Sequence, residues 1–236
     1  MLILSLDSTA SPASVCLYED GKILADYFIH TGLTHSQTLM CMVESILQIT
    51  GKNSSDVDLF AVNNGPGSFT GVRIGVAAIK GMAYAAEKPC VGVSTLESMA
   101  YNHLVENCVV CACMDARRHQ VYNALFRIKD GCAKRLCGDR AISVEDLLTE
   151  LSSYSEKIVL FGDGAQLVYS SVKENKNICL APETIRYQNA SSVASIAYQK
   201  YLNGDSLTAS DLNPSYLRLS QAEREFNNKK KDEEKS

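Results

Sequence analysis

The order of apolar runs in this chain is nearly the same twice over, and that duplication restricts the fold more than any single residue does. Residues 2–6 form a short apolar run that ends on Asp7, Ser8 and Thr9. Two more short runs follow at 15–18 and 23–29, separated by Asp20 and Gly21. This pattern predicts three strands, the last two a hairpin, because Asp-Gly supplies the positive φ angles of a tight turn. From 36 to 50, Leu39, Val43, Ile46 and Leu47 recur at helical spacing, and Gly51 ends the helix. A strand at 59–62 then leads through Gly65, Pro66 and Gly67 into a long apolar helix at 70–86, a strand at 90–93 and a helix after Ser94.

The second half runs in the same order. Strands are expected at 108–114, at 121–128 and after Gly131, then a helix from Ser143 and a strand at 158–161. Gly162, Asp163 and Gly164 make a turn into another helix, and a last helix spans 191–202. A repeat of this kind at a spacing of about 105 residues implies an α/β protein of two stacked ribonuclease-H-like lobes, each a mixed sheet covered by helices. The lobes fall at 1–105 and 106–220, the last segment of the second being free to pack back on the first. Residues 221–236 mix charges of both signs and suit a disordered tail.

Composition removes several classes. Hydrophobic residues make up 46% of the 236, enough for a core that needs no staples. Nine cysteines at irregular spacing in a chain of this length point to reduced thiols and the cytoplasm. No apolar run approaches the roughly 18 to 20 residues that span a bilayer, and no signal peptide opens the chain, so no membrane role is expected. The net charge is −4 and the basic residues are scattered, so contact with nucleic acid should be indirect.

In both halves the first strand ends on an acid, Asp7 before Ser8 and Thr9, and Asp115 before Ala116 and Arg117. In this architecture those ends face the cleft between the lobes, where a phosphate can sit. Neither loop has the glycine that lets a backbone hug a phosphate, so nucleotide binding by the chain alone is weakly supported. The cleft candidates are Asp7, Ser8, Gly65, Gly67, Ser68, Asp115 and Arg117. The turn at 65–71 either holds an anion on free helix-start amides or is a close-packed strand-to-helix connection. His30, His35, His103 and His119 show no paired spacing for a metal, and His35 suits the start of a helix. Cys108, Cys111 and Cys113 lie on a strand that sends 108 and 111 to opposite faces, which suits a core. Ser68 is not in a G-x-S-x-G elbow, so hydrolase chemistry finds no support.

The stretch GPGSFTGVRIG at 65–75 resembles the family that includes TsaB and its catalytic paralogue TsaD. Three further matches extend the resemblance to about residue 220: Asp115-Ala116-Arg117-Arg118 with Val121-Tyr122, Gly162-Asp163-Gly164, and Pro214-Ser215-Tyr216-Leu217-Arg218. The resemblance implies the actin-like ATPase fold and a non-catalytic subunit of a tRNA threonylcarbamoyltransferase assembly. Its implied partners are a TsaD-like catalytic subunit, a TsaE-like ATPase and, when alone, a second copy of itself. It would meet tRNA only indirectly, with no cofactor of its own and ATP only within the complex.

The catalytic paralogue carries a metal-binding histidine pair on the helix after Val93, where this chain has Thr95 and Met99. A threonine and a thioether cannot replace two imidazoles for such a metal. The two apolar helices at 36–50 and 70–86 are expected to form the interface, with Met40 and Leu47 widening the apolar arc and Gly71 and Gly75 permitting close approach. Two other classes compete: an autonomous ATP-dependent transferase or kinase relying on Asp7 and Asp115, and a direct tRNA-binding module.

Overall fold

The computed structural model describes residues 1–172 and 176–218; the tail expected at 221–236 lies outside the described residues. Three antiparallel strands open the chain, β1 (Leu2–Asp7), β2 (Ala13–Glu19) and β3 (Lys22–Ile29). Helix α1 (His35–Thr50) ends where Gly51 turns left-handed at φ 66. Then come β4 (Leu59–Gly65), α2 (Phe69–Ala86), β5 (Cys90–Ser94) and α3 (Thr95–Tyr101).

The second half begins with β6 (Cys108–Asp115), β7 (Gln120–Lys129), β8 (Cys132–Arg135) and β9 (Arg140–Ser143). It continues through α4 (Val144–Leu151), β10 (Ile158–Phe161), α5 (Ala165–Ser170), β11 (Ile178–Leu180), α6 (Glu183–Arg186) and α7 (Ala190–Leu202).

The sheets have the same topology. The first is ordered β3-β2-β1-β4-β5 and the second β11-β10-β6-β7-β8, so β6, β7, β8, β10 and β11 stand where β1, β2, β3, β4 and β5 stand. In each, the first strand pairs antiparallel with the hairpin and parallel with the strand after the helix. Strand β9 is an addition, pairing with the start of β7.

The helices cover both faces of both sheets. Leu39, Val43 and Ile46 of α1 and Val72, Val76 and Ile79 of α2 close one face of the first sheet over Leu4, Leu6 and Phe60. Helix α7 crosses to the other face, laying Val193, Ile196 and Ala197 on Ile3, Leu59 and Val91. In the second sheet, α4 and α5 cover the face of Val109, Cys111 and Cys113, while α3 covers that of Cys108, Val110 and Ala112. The alternation along β6 thus sends Cys108 and Cys111 to opposite cores, as the strand period requires. Each fully buried Leu, Ile or Phe among these contributes about 1.5–3 kcal/mol of burial free energy.

The segment after α7 returns to the first sheet. Leu207 exchanges backbone hydrogen bonds with Cys90, Leu212 is fully buried in the first core, and Ser215 N–H donates to the Asn64 carbonyl at 2.7 Å. Among the described residues no helix is long and apolar enough to cross a membrane.

Candidate functional site

A cavity of about 780 Å³ opens between the ends of β1 and β6, lined among others by Thr9, Phe69, Asp115, Arg117, Asp163 and Tyr216. Its two sides differ. On the β1 side, Asp7 is fully buried rather than facing the cavity. Its Oδ1 accepts from Asn63 Nδ2 at 2.8 Å and Thr9 Oγ1 at 2.7 Å, and Oδ2 has no hydrogen-bond partner among the described residues. Burial pushes its carboxyl above the usual carboxylate range, against the pull of those hydrogen bonds. Ser8 is equally closed off, its hydroxyl donating to the Gly71 carbonyl at 2.8 Å. Asp7 and Ser8 therefore leave the set of cleft candidates.

The turn into α2 explains why they are sealed. A Cβ on Gly71 would strike the Ser8 carbonyl oxygen, and one on Gly75 would lie 2.6 Å from Ser8 Oγ. At Gly67 a Cβ would sit 2.5 Å from the Thr9 carbonyl oxygen. These glycines seat the end of β1, which also corrects their expected role: Gly71 and Gly75 are buried inside their own half and cannot receive a partner. Gly65 has φ 124, which favours glycine, and a side chain there would collide with Ser215. Two of the amides that an anion needs are already used, Ser68 N–H by the Thr9 carbonyl at 2.7 Å and Gly71 N–H by Ser68 Oγ at 3.3 Å. The close-packed connection is thus the better description of this turn.

On the β6 side the acid stays at the rim. Asp115 accepts from Arg117 N–H at 2.7 Å and from Arg117 Nη1 at 3.1 Å. The side chain of Arg117 is 87% exposed. Behind it, Asp163 Oδ1 accepts from Asp115 N–H at 3.2 Å, and burial raises the Asp163 carboxyl. Arg117, Arg118 and His119 are three successive left-handed residues, with φ of 64, 57 and 55, that close the turn into β7.

Thr95 and Met99 are fully buried on α3, and Met99 packs against Gly162 in the second core. His35 bonds through Nε2 to the Ala10 carbonyl at 2.7 Å, at the start of α1. Among the described residues no three His, Cys, Asp or Glu side chains gather as metal ligands.

The outer face of α1 and α2 carries a second feature. Met40 is 48% exposed and Tyr84 79%. Leu47 is only half-buried at the surface and packs on the core of its own half. Along α2 the exposed positions include Thr70, Ala77, Gly81 and Ala85, and a Cβ at Gly81 would meet nothing within 4 Å. This is the small-residue face that sequence reasoning placed at Gly71 and Gly75. The polar stripe of α2 is not free: Arg73 Nε donates to Tyr216 Oη at 2.8 Å and Lys80 Nζ to the Ser210 carbonyl at 3.0 Å. A long-range contact of that kind leaves no local signal, although Tyr216 lies within the last of the quoted motifs.

Comparison with known proteins fits this geometry. The family model described as "TsaD: tRNA N6-adenosine threonylcarbamoyltransferase" matches residues 30–226. The tRNA threonylcarbamoyladenosine biosynthesis protein TsaB of Escherichia coli is 32% identical over 92% of this chain and 95% of its own length. The chain belongs to the TsaB family. A solved Pseudomonas aeruginosa structure, described as similar to peptidase YeaZ, superposes with a TM-score of 0.81 at 26% identity, covering 92% of this chain and 99% of that one.

At fold level alone, the likeness extends to component A of (R)-2-hydroxyglutaryl-CoA dehydratase from Acidaminococcus fermentans. The TM-score is 0.50 at 12% identity, over 86% of this chain and 99% of that one. The chain has the two-lobed actin-like ATPase fold, and its family is named for tRNA threonylcarbamoyladenosine biosynthesis.

Proposed function

We propose that this chain is a non-catalytic subunit that docks a TsaD-like catalytic subunit through the exposed face of α1 and α2. The observation that carries this reading is the face itself: Met40 and Tyr84 stand out from it, and Ala77, Gly81 and Ala85 leave room for a helix to approach. An apolar strip bordered by polar residues marks an interaction surface, and small residues let two helices come close. In the absence of that subunit, two copies of the chain pair through the same face. A TsaE-like ATPase joins the assembly, tRNA is met through the catalytic subunit, and the complex works in the cytoplasm. No cofactor belongs to this chain, since Thr95 and Met99 offer no chelating pair; any ATP is held only within the complex.

The test pairs Gly81→Arg with Met40→Asp, because both positions are exposed and neither change enters the core. Leu47→Asp is unsuitable, since its side chain packs on the core. A charge forced into an apolar contact is costly, so the double variant should remain a folded monomer and lose the TsaD-like subunit by about a hundredfold or more. Unchanged self-association together with unchanged partner binding by gel filtration and light scattering would reject the assignment. The cavity favours a second reading, an autonomous ATP-dependent enzyme. ATP turnover by the purified chain that Asp115→Ala abolishes would establish that reading instead.

A further inference from the structure

Residues 213–218 cross the mouth of the cavity from one half of the molecule to the other. Their anchor is Leu212, fully buried in the first core, whereas Ser215 and Tyr216 are exposed. On the first half, Ser215 N–H donates to the Asn64 carbonyl at 2.7 Å and Asn64 Nδ2 to the Asn213 carbonyl at 3.1 Å. The Tyr216 ring stacks on Phe69 with centroids 4.8 Å apart, and the Arg73 guanidinium, bonded to Tyr216 Oη, lies 3.8 Å over the Phe69 ring. On the second half, Arg218 Nη1 donates to the Ala116 carbonyl at 3.2 Å and Nη2 to Gln120 Oε1, with the guanidinium 5.8 Å from the Tyr122 ring.

We infer that this segment is a strap, pinned at Tyr216 and at Arg218, which walls the cavity and holds the two halves at one angle, and which opens as a unit over residues 213–218. Three observations converge on that. Ser215, Tyr216, Leu217 and Arg218 line the cavity, so moving the strap changes access to it. Residues 213–218 belong to no helix or strand and rest on surface polar contacts and one ring stack, the kind of segment that opens at low free energy while the core stays closed. Gly65 keeps the path clear, because any side chain there would collide with the Ser215 carbonyl. The two pins sit on different halves, so releasing either one loosens the tie between them. The inference does not depend on what docks on the outer face of α2.

Hydrogen exchange of the full chain tests it, with Arg218→Ala and Arg73→Ala each cutting one pin. If the strap moves as a unit, each variant speeds exchange about tenfold at both rims, 64–71 and 116–120, with an unchanged circular dichroism spectrum. Arg218→Lys, which keeps the charge but not the planar fork, should fall between wild type and Arg218→Ala. Gly65→Ala expels the strap without touching either guanidinium and should reproduce the two-rim pattern. Acceleration confined to the rim that lost its own contact, in both Arg218→Ala and Arg73→Ala, would overturn the inference. If Gly65→Ala fails to fold, Tyr216→Ala supplies the same comparison.

Discussion

Strands β1 and β6 hold equivalent places in two sheets of identical order, and each ends on an aspartate, yet the two acids live in opposite surroundings. Asp7 is enclosed by Asn63 and Thr9 without a counter-charge among its described partners, while Asp115 stands at the cavity rim beside an exposed guanidinium. The support beneath them is nonetheless alike. Gly67, Gly71 and Gly75 seat the continuation of β1, and Gly162 and Gly164 seat the end of β6, where a Cβ on Gly164 would lie 2.8 Å from the Met114 carbonyl carbon. A duplicated topology fixes where a residue stands and how closely its backbone is packed. Whether its charge faces water depends on side chains from other elements, here Asn63 of β4 on one side and Arg117 on the other.

The largest effect expected from this comparison is at its shared support. Gly71→Ala drives a methyl into the Ser8 carbonyl in a buried site and should cost about 3 kcal/mol or more. Gly164→Ala should cost about 2 kcal/mol by the same crowding. Urea titrations of both variants decide whether the halves are built alike, and a silent Gly164→Ala beside a damaging Gly71→Ala would break the parallel.

Next in size is Asp7→Asn. Burial raises the folded-state carboxyl above its ordinary value of 3.8, so the native chain binds the proton more tightly than the unfolded chain does. The stability that this proton gives is complete below that ordinary value and is lost as pH rises through the folded one. Asparagine removes that loss. The variant should gain about 1 kcal/mol near neutral pH and show a flatter stability profile across the window that begins at the unfolded value. An unaltered pH profile would mean that burial does not hinder the ionisation of Asp7.

Asp115→Ala should cost less, about 0.5–1 kcal/mol, because its ion-pair partner is largely exposed and solvent screens the pair. A loss of modification activity in a variant that still folds and still binds its partner would give Asp115 a chemical role that Asp7 lacks. A change of similar size and opposite sign is expected at Gly81, an exposed helical position with room around it. Gly81→Ala should stabilise the isolated chain by about 0.5–1 kcal/mol, since alanine loses less backbone freedom in a helix.

Periodicity alone located most of the elements, because burial on one face of a helix or strand writes its period into the sequence. It was silent on β9 and β11, four and three residues long, and on the four-residue α6. Segments that short give a period too few repeats to stand out unless, like β10, they form an unbroken apolar run, and β9 exists through its pairing with Gln120 to Asn123 of β7. The site was legible where residues are neighbours in sequence, as at the cleft candidates Asp115 and Arg117, which both line the cavity. Asp7 and Ser8 were misplaced because their cover comes from Asn63 and Gly71, more than fifty residues away. The same distance effect misled the reading of α2: its glycines were recognised as marks of close approach, but only the fold shows that the approaching chain at Gly71 and Gly75 is its own.

Of the nine free thiols, Cys41 is exposed on α1, next to Met40, while Cys111 and Cys113 lie buried with their sulfurs 3.4 Å apart. An alkylating reagent at short exposure will therefore mark Cys41 and the exposed Cys132 well before the core thiols. That makes Cys41 a built-in footprint of the α1 face, silenced when another protein covers it. It also makes air oxidation a hazard in preparing the chain, since a bond between two Cys41 sulfurs would yield a covalent pair that gel filtration could not distinguish from a genuine association, whereas non-reducing denaturing electrophoresis would expose it.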